Sequence, residues 1–517
     1  MSDGAATDHR LQTAVLVAAA LLLLPAVGLP PLFDVDEGAF GEATREMLAS
    51  GDWLSTTLNG APRFDKPILI YWLQAASVSL LGLNEFALRL PSALAALAWI
   101  AAIGRFASAK LGPETGGLAA WIAATCIGVV VIAHAATADA LLNALLAAAM
   151  LDAWRFVEDG SRGALRRMYV WIGLGVLTKG PIAALIPVAV TLLYALLSGR
   201  LREWRKAAFD PVGWLLLAAI VAPWYGYALH VHGRAFVEGF FVKHNLQRFG
   251  GTLEGHSGSI VYYVVVVPLL LLPWTGLLVP ALRAARDEWR IGLTRYLWLW
   301  FAFVLVFFSV SGTKLPHYAL YGLTPLFFLA AMHRADLGAG RLARVTAALL
   351  LALMPALPWI AQRWALGATG PRTAYYAALA QHALQAAPWS FYAITGCACA
   401  IGIAALCAPR WPTWYRLAMV SGLLTLVLET AIAPWLGDVL SGPVKRAAQF
   451  VAARPENVVQ WNLNVPSFSL YRGRITESRA PREGELAITR DDRLPADAKV
   501  EVLFQEAGVM VVQPLAD

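Results

Sequence analysis

Charge is what this chain has least of. Only 15% of its 517 residues are Asp, Glu, Lys or Arg, 58% are hydrophobic, and the mean hydropathy is +0.58. Soluble domains average about 25% charged residues, so the balance excludes a soluble protein and points to an integral membrane one. Cysteine is also scarce. Cys126, Cys397, Cys399 and Cys407 all lie in apolar segments, and Cys397 and Cys399 point in different directions on a helix, which argues against a disulfide framework or a zinc site. There is no basic tract interleaved with aromatics, no internal repeat and no low-complexity stretch, so the net charge of +7 is not a nucleic-acid signature.

What the chain does have is apolar runs of spanning length, recurring from residue 11 to about residue 435. Leu11–Leu24 has the look of a signal-peptide core, yet Pro25 and Pro30-Pro31 follow without a small-x-small cleavage site, so it reads as an uncleaved first span. Basic residues cluster at Arg105/Lys110, Arg155–Arg167, Arg200–Lys206, Arg283–Arg295, Arg334–Arg344 and Arg410/Arg416. Such clusters mark cytoplasmic loops. Between most of them lies enough apolar chain for two spans, with Arg167 to Arg200 the tightest fit. Pro67–Gly82 is short for a span; were it to cross, every later basic cluster would lie outside, so it is expected at the interface. The expectation is an α-helical polytopic membrane protein with about thirteen transmembrane helices over residues 1–435. It includes an outer first loop at 31–66 and an interfacial helix at 67–82. A small outer α/β domain, 436–517, follows, with a hairpin at Lys499–Gln513 and a strand and short helix within Trp461–Tyr471.

The charges that remain gather at the outer ends of the spans. Asp34, Asp36 and Glu37 stand together directly after the first apolar run. Carboxylates are costly in hydrocarbon, so the cluster is either a polar site or a solvated loop end. Glu42, Arg45 and Glu46 are expected as ordinary solvated charges on one face of a short helix. Arg63, Asp65 and Lys66 precede the interfacial segment, where a lysine either snorkels or holds a lipid phosphate. Single polar groups mark further outer turns: Asp139, Lys179, Lys314 beside His317 and Tyr318, and Lys243 and Arg248 in the longest middle loop. Asp139 alone is equally a helix-start acid. Taken together, cations near an acidic loop describe a pocket for a phosphate-bearing lipid beside a carboxylate.

At this point the sequence resembles a known family, the bacterial GT-C glycosyltransferases of the protein-mannosyltransferase/aminoarabinose-transferase (ArnT-like) type. The matching residues are Asp36-Glu37-Gly-Ala-Phe-Gly-Glu42-Ala-Thr-Arg45-Glu46-Met47, Ser50-Gly51-Asp52-Trp53, Leu58-Asn59-Gly60, Asp65-Lys66-Pro67 and Tyr71-Trp72. Arg89-Leu-Pro91-Ser92, Thr137-Ala-Asp139, Leu177-Thr-Lys179-Gly-Pro181, Gly312-Thr-Lys314-Leu-Pro316 and Pro466–Arg474 continue the series. The resemblance implies inverting transfer of a sugar from an undecaprenyl-phosphate donor, on the periplasmic side of the inner membrane. It implies Asp36 at the catalytic centre with Glu37 in support, and Lys66, Lys179 and Lys314 facing the donor phosphate with Asp139 and Tyr318 nearby. Arg63 and Arg248 join that phosphate- and lipid-binding set. The family often has Glu where this chain has Asp65, which leaves a divalent metal held by Asp65, with His256, as an open alternative. The acceptor is a lipid A phosphate, a glycan, another lipid or a protein hydroxyl, and the chain is expected to act as a monomer. Two competing readings are a protein mannosyltransferase and, in a different class, a polyprenyl-lipid flippase. A flippase would carry ionisable groups at mid-membrane or an internal repeat.

Overall fold

A computed structural model describes residues 2–247, 251, 258–338, 340–367 and 373–515. The chain is a multi-pass helical membrane protein capped at one end by a small mixed sheet. Among the described residues, seven helices are long and apolar enough to cross a membrane, or nine if each of two bent pairs is one span. The expected count of about thirteen differs because several helices are short, broken or charged. Arg10–Leu23, Leu69–Leu81 and Ile182–Leu197 are apolar but short, and Arg162–Lys179 carries four basic residues. The two broken helices bend by 61° at Cys126 and by 112° near Pro273. They meet there, where the Ile127 amide freed by the break donates to the Leu272 carbonyl at 3.0 Å.

The elements that build the site come early. α1 (Ser2–Leu23) leads to α2 (Asp36–Ser50) and a two-stranded hairpin, β1 (Thr57–Leu58) and β2 (Ala61–Pro62). Asn59 and Gly60 both adopt positive φ at its turn, as a tight two-residue connection requires. Next come α3 (Leu69–Leu81), α4 (Glu85–Leu111), α5 (Pro113–Thr125) and α6 (Ile127–Ala133). The series continues through α7 (Asp139–Asp159), α8 (Arg162–Lys179), α9 (Ile182–Leu197), α10 (Leu201–Ala208) and α11 (Pro211–Phe236). α7 and α8 form an antiparallel hairpin turned at Gly160 (φ +64°), so the first residue of one lies level with the last residue of the other.

The last span, Thr413–Leu440, runs into the helix Gly442–Ala452 and then the C-terminal sheet. β3 (Val458–Gln460), β4 (Leu486–Arg490), β5 (Val500–Glu506) and β6 (Val509–Pro514) pair in the order β3-β4-β6-β5, parallel between β3 and β4 and antiparallel elsewhere. The expected hairpin is β5–β6, and the expected short helix is Pro466–Arg472. That helix lies against α2. A Cβ at Gly38 would come 2.6 Å from the Ser467 nitrogen, so only glycine admits this approach.

The first loop corrects one expectation. Glu42 and Glu46 are buried, 0% and 5% exposed, because the Pro466–Arg472 helix and the β1–β2 hairpin cover α2. Each is paired: Glu42 accepts from Arg45 at 2.6 and 2.7 Å, and Glu46 accepts from the Thr57 hydroxyl and the Gly60 amide.

Candidate active site

Asp36 and Glu37 are neighbours with opposite surroundings. Glu37 is buried and saturated: it accepts from Arg89 Nε and Nη2 at 2.8 and 2.7 Å, from the Phe33 amide at 2.9 Å and from the Ala136 amide at 2.6 Å. Arg89 spends its remaining donors on the carbonyls of Val27, Pro30 and Pro31. Glu37 therefore fastens three segments, the end of the first helix region, α4 and the α6–α7 turn. Asp36, the first residue of α2, is exposed, and among the described residues it makes no hydrogen bond or ion pair.

The α7–α8 hairpin builds the second part. Asp139 opens α7 and Lys179 closes α8, and the two form a buried ion pair. Each charge also suits its helix end, an anion at an N-terminus and a cation at a C-terminus. Thr137 Oγ1 and Tyr321 OH approach Asp139 at 3.3 and 3.4 Å, and His317 Nε2 lies 3.9 Å away. Lys179 Nζ sits 5.9 Å and 5.6 Å from the ring centres of Tyr318 and Tyr321, within cation–π range. Burial pushes the His317 imidazole down to about 4; Asp139 and Asp36 pull it up, and Lys179 and Lys66 push it down. One histidine thus feels all four charged groups, which gathers the loop acids and lysines into one electrostatic neighbourhood.

Lys314 is 8% exposed and donates to the Ser311 carbonyl at 2.7 Å. Among the described residues it has no carboxylate partner. A buried cation without an anion is costly unless something anionic reaches it. Lys66 is half-buried with its ammonium on the Asp65 carbonyl. Arg63 is buried, 3.5 Å from Asp65 and over the Phe40 ring at 5.2 Å, with Nε and Nη1 making no hydrogen bond. Arg248 and His256 lie outside the described residues.

Asp65 is held by His244 at 2.9 Å as well as by Arg63. Burial would raise it, but the His244 hydrogen bond and the charges of Arg63, His244 and Lys66 outweigh that and hold its pKa below the usual carboxylate range. Among the described residues no three His, Cys, Asp or Glu side chains converge as metal ligands. A carboxylate ringed by donors and cations is held ionised with its charge already matched, and the residues described there do not fit a divalent ion.

Sequence reasoning passed over three contributors. Arg89 stands inside a quoted motif and His317 directly after one, but only the fold shows what they touch. Asp34, given no role of its own by the sequence, accepts from the Ser467 amide at 3.0 Å and from its hydroxyl. Nothing in the local sequence signals that bond, since the partner lies 433 positions away.

The fold and site define a multi-pass helical membrane protein with carboxylates and lysines gathered at one end of its spans and a small sheet docked at that end. The family profile described as dolichyl-phosphate-mannose-protein mannosyltransferase matches residues 65–227. A curated relative from Aeromonas hydrophila, named undecaprenyl phosphate-alpha-4-amino-4-deoxy-L-arabinose arabinosyl transferase, is 34% identical over 59% of this chain and 57% of its own length. A relative of the same name from Pseudomonas aeruginosa is 32% identical over 63% of this chain and 60% of its own length. The matches thus span somewhat over half of these relatives. The fold is similar to that of ArnT from Cupriavidus metallidurans bound to undecaprenyl phosphate, with a TM-score of 0.79 at 20% identity over 97% of both chains.

Proposed function

We propose that this chain is a lipid-linked glycosyltransferase. It moves a sugar, with inversion, from an undecaprenyl-phosphate donor to lipid A or another envelope acceptor, at the periplasmic face of a bacterial inner membrane. The observation that carries the reading is the exposed carboxylate of Asp36, unpartnered among the described residues, in the same electrostatic surroundings of His317 as the buried Lys179–Asp139 pair, with the buried Lys314 three residues from that histidine. The curated relatives are named for 4-amino-4-deoxy-L-arabinose, which makes it the first sugar to test. Basic clusters at the opposite span ends support the orientation.

In this reading an acceptor oxygen attacks the anomeric carbon from the face opposite the phosphate. The C–O bond to phosphate breaks, and its electron pair leaves on the phosphate, which passes from a singly charged diester to a doubly charged monoester. Lys179, Lys314 and Lys66 stabilise the charge that appears. Asp139 holds Lys179 in place, and the Tyr318 and Tyr321 rings flank its ammonium. If the acceptor is a phosphate, it is already an anion and Asp36 orients it; if it is a hydroxyl, Asp36 takes its proton. Glu37, with every acceptor position used, acts by fixing the loop that presents Asp36.

The test is mass spectrometry of lipid A, glycans and secreted proteins from a deletion strain complemented with the wild-type gene or with Asp36→Asn. Loss of a sugar on deletion and its absence with Asp36→Asn are expected, and full restoration by Asp36→Asn sinks the catalytic assignment. The family profile at residues 65–227 favours one second reading, a protein mannosyltransferase, and sugar lost from protein alone would select it.

A further inference from the structure

The end of the bundle opposite the carboxylates contains a cavity of about 690 Å³, enclosed by α7, α8, α9 and α11 and covered by α10. Its walls are apolar, among them Phe156, Met168, Ile172, Val188, Tyr194 and Leu217. Glu158, Thr191, Arg200 and Glu203 also stand in the lining, but most of the wall is apolar, which favours an apolar occupant over water. The cover is built differently. α10 turns Trp204 and Ala207 inward and leaves Arg202, Arg205 and Lys206 exposed. It is pinned from below: Tyr169 OH donates to the Ala207 and Ala208 carbonyls at 2.8 and 3.0 Å, Trp204 Nε1 to Thr191 Oγ1 at 3.1 Å, and Trp214 Nε1 to the Ala208 carbonyl at 2.8 Å. Trp and Tyr anchored in this way mark the level of lipid headgroups. Arg202, Arg205, Lys206 and Arg162, at the start of α8, are exposed and have no acidic partner among the described residues.

An apolar slot at headgroup depth, under an amphipathic helix whose outer face is basic, has the two halves of a lipid site. We propose that the cavity holds one acyl chain of an anionic phospholipid, whose phosphate lies against the basic face of α10. Charge complementarity selects that occupant over a neutral lipid. The cavity also sits between the arms of the α8–α9 hairpin, whose far apex carries Lys179.

The test uses the full chain in nanodiscs of equal phosphatidylglycerol and phosphatidylethanolamine, with retained lipid counted by native mass spectrometry. One phosphatidylglycerol per chain is expected to stay bound. Filling the slot by Val188→Trp is expected to release it. Arg202→Gln, Arg205→Gln and Lys206→Gln, which alter only exposed side chains, should each lower the preference for phosphatidylglycerol by about fivefold. Phosphatidylethanolamine or a polyprenyl phosphate released by Val188→Trp in place of phosphatidylglycerol, or no retained phospholipid, overturns the proposal, as does phosphatidylglycerol retention indifferent to all four variants. Because the readout is binding alone, it stands apart from the success or failure of the transferase reading.

Discussion

Two adjacent acids divide chemistry from architecture. Asp36 is exposed and, among the described residues, unpartnered, so Asp36→Asn should leave the melting temperature within a degree or two. Sugar transfer should fall by about 10²–10⁴-fold, the range for a removed acid–base or positioning carboxylate. Glu37→Ala should do the reverse in the first instance. It strands Arg89 at 0% exposure and should cost about 3–5 kcal/mol, the price of a buried charge left without its partner. Thermal unfolding of the two purified variants separates the roles, and equal destabilisation would refute the division. Lys314 gives a second contrast. Replacing a buried cation that has no carboxylate partner among the described residues by methionine should hold or raise stability while weakening donor binding. A Lys314→Met protein that melts lower yet turns over normally would remove Lys314 from the phosphate site.

At the scale of elements, the α7–α8 hairpin pairs charges forty positions apart. Lys179→Met leaves Asp139 buried without its lysine and should destabilise by about 3–5 kcal/mol. Lys179→Met with Asp139→Leu should recover most of that stability and none of the activity. A double variant as unstable as the single one would show that the pair is not the relevant coupling. The same hairpin shows what was legible in the sequence. Composition and hydropathy announce the helices, and the alternation of β5 and β6 about Ala507-Gly508 announces the hairpin. Lys179 and Lys314 could be marked one by one as cations in greasy turns, because their cost in hydrocarbon is local. Their partners could not be read, since pairing depends on which turn lies beside which. Glu42 and Glu46 looked solvated because α2 is polar by sequence, and it takes the helix of residues 466–472 and the β1–β2 hairpin to bury them. His317 was passed over for the same reason: its role comes from Asp139, on another helix. Short and broken helices blurred the span count, because a break at Cys126 or Pro273 leaves the apolar run intact.

At the scale of the molecule, the first loop joins the membrane helices to the C-terminal sheet. Tyr471 accepts from the Leu32 amide at 2.7 Å and donates to Glu85 at 3.0 Å, and Lys445 pairs with Glu85 beneath its ring. Asp34 completes the seam through Ser467. Burial pushes the Asp34 carboxyl up to about 6, with the two Ser467 hydrogen bonds pulling it down. A carboxyl raised from 3.8 in the unfolded chain to about 6 in the fold favours the protonated form when docked. Its contribution is fully present below pH 3.8 and is lost as pH rises through 6, a change of about 2 kcal/mol once partial exposure is allowed for. The docked sheet should therefore be held more tightly at pH 4 than at pH 7. Hydrogen exchange of the amides in Pro466–Arg472, measured across that interval, should speed up as pH rises by more than the intrinsic base-catalysed rate. Ser467→Ala removes a bond that lowers the Asp34 pKa, so in that variant the loss should begin at higher pH. Protection that stays level, or that grows toward neutral pH, would mean that Asp34 is ionised in the docked state and that its two bonds from Ser467 outweigh the cost of burying the charge.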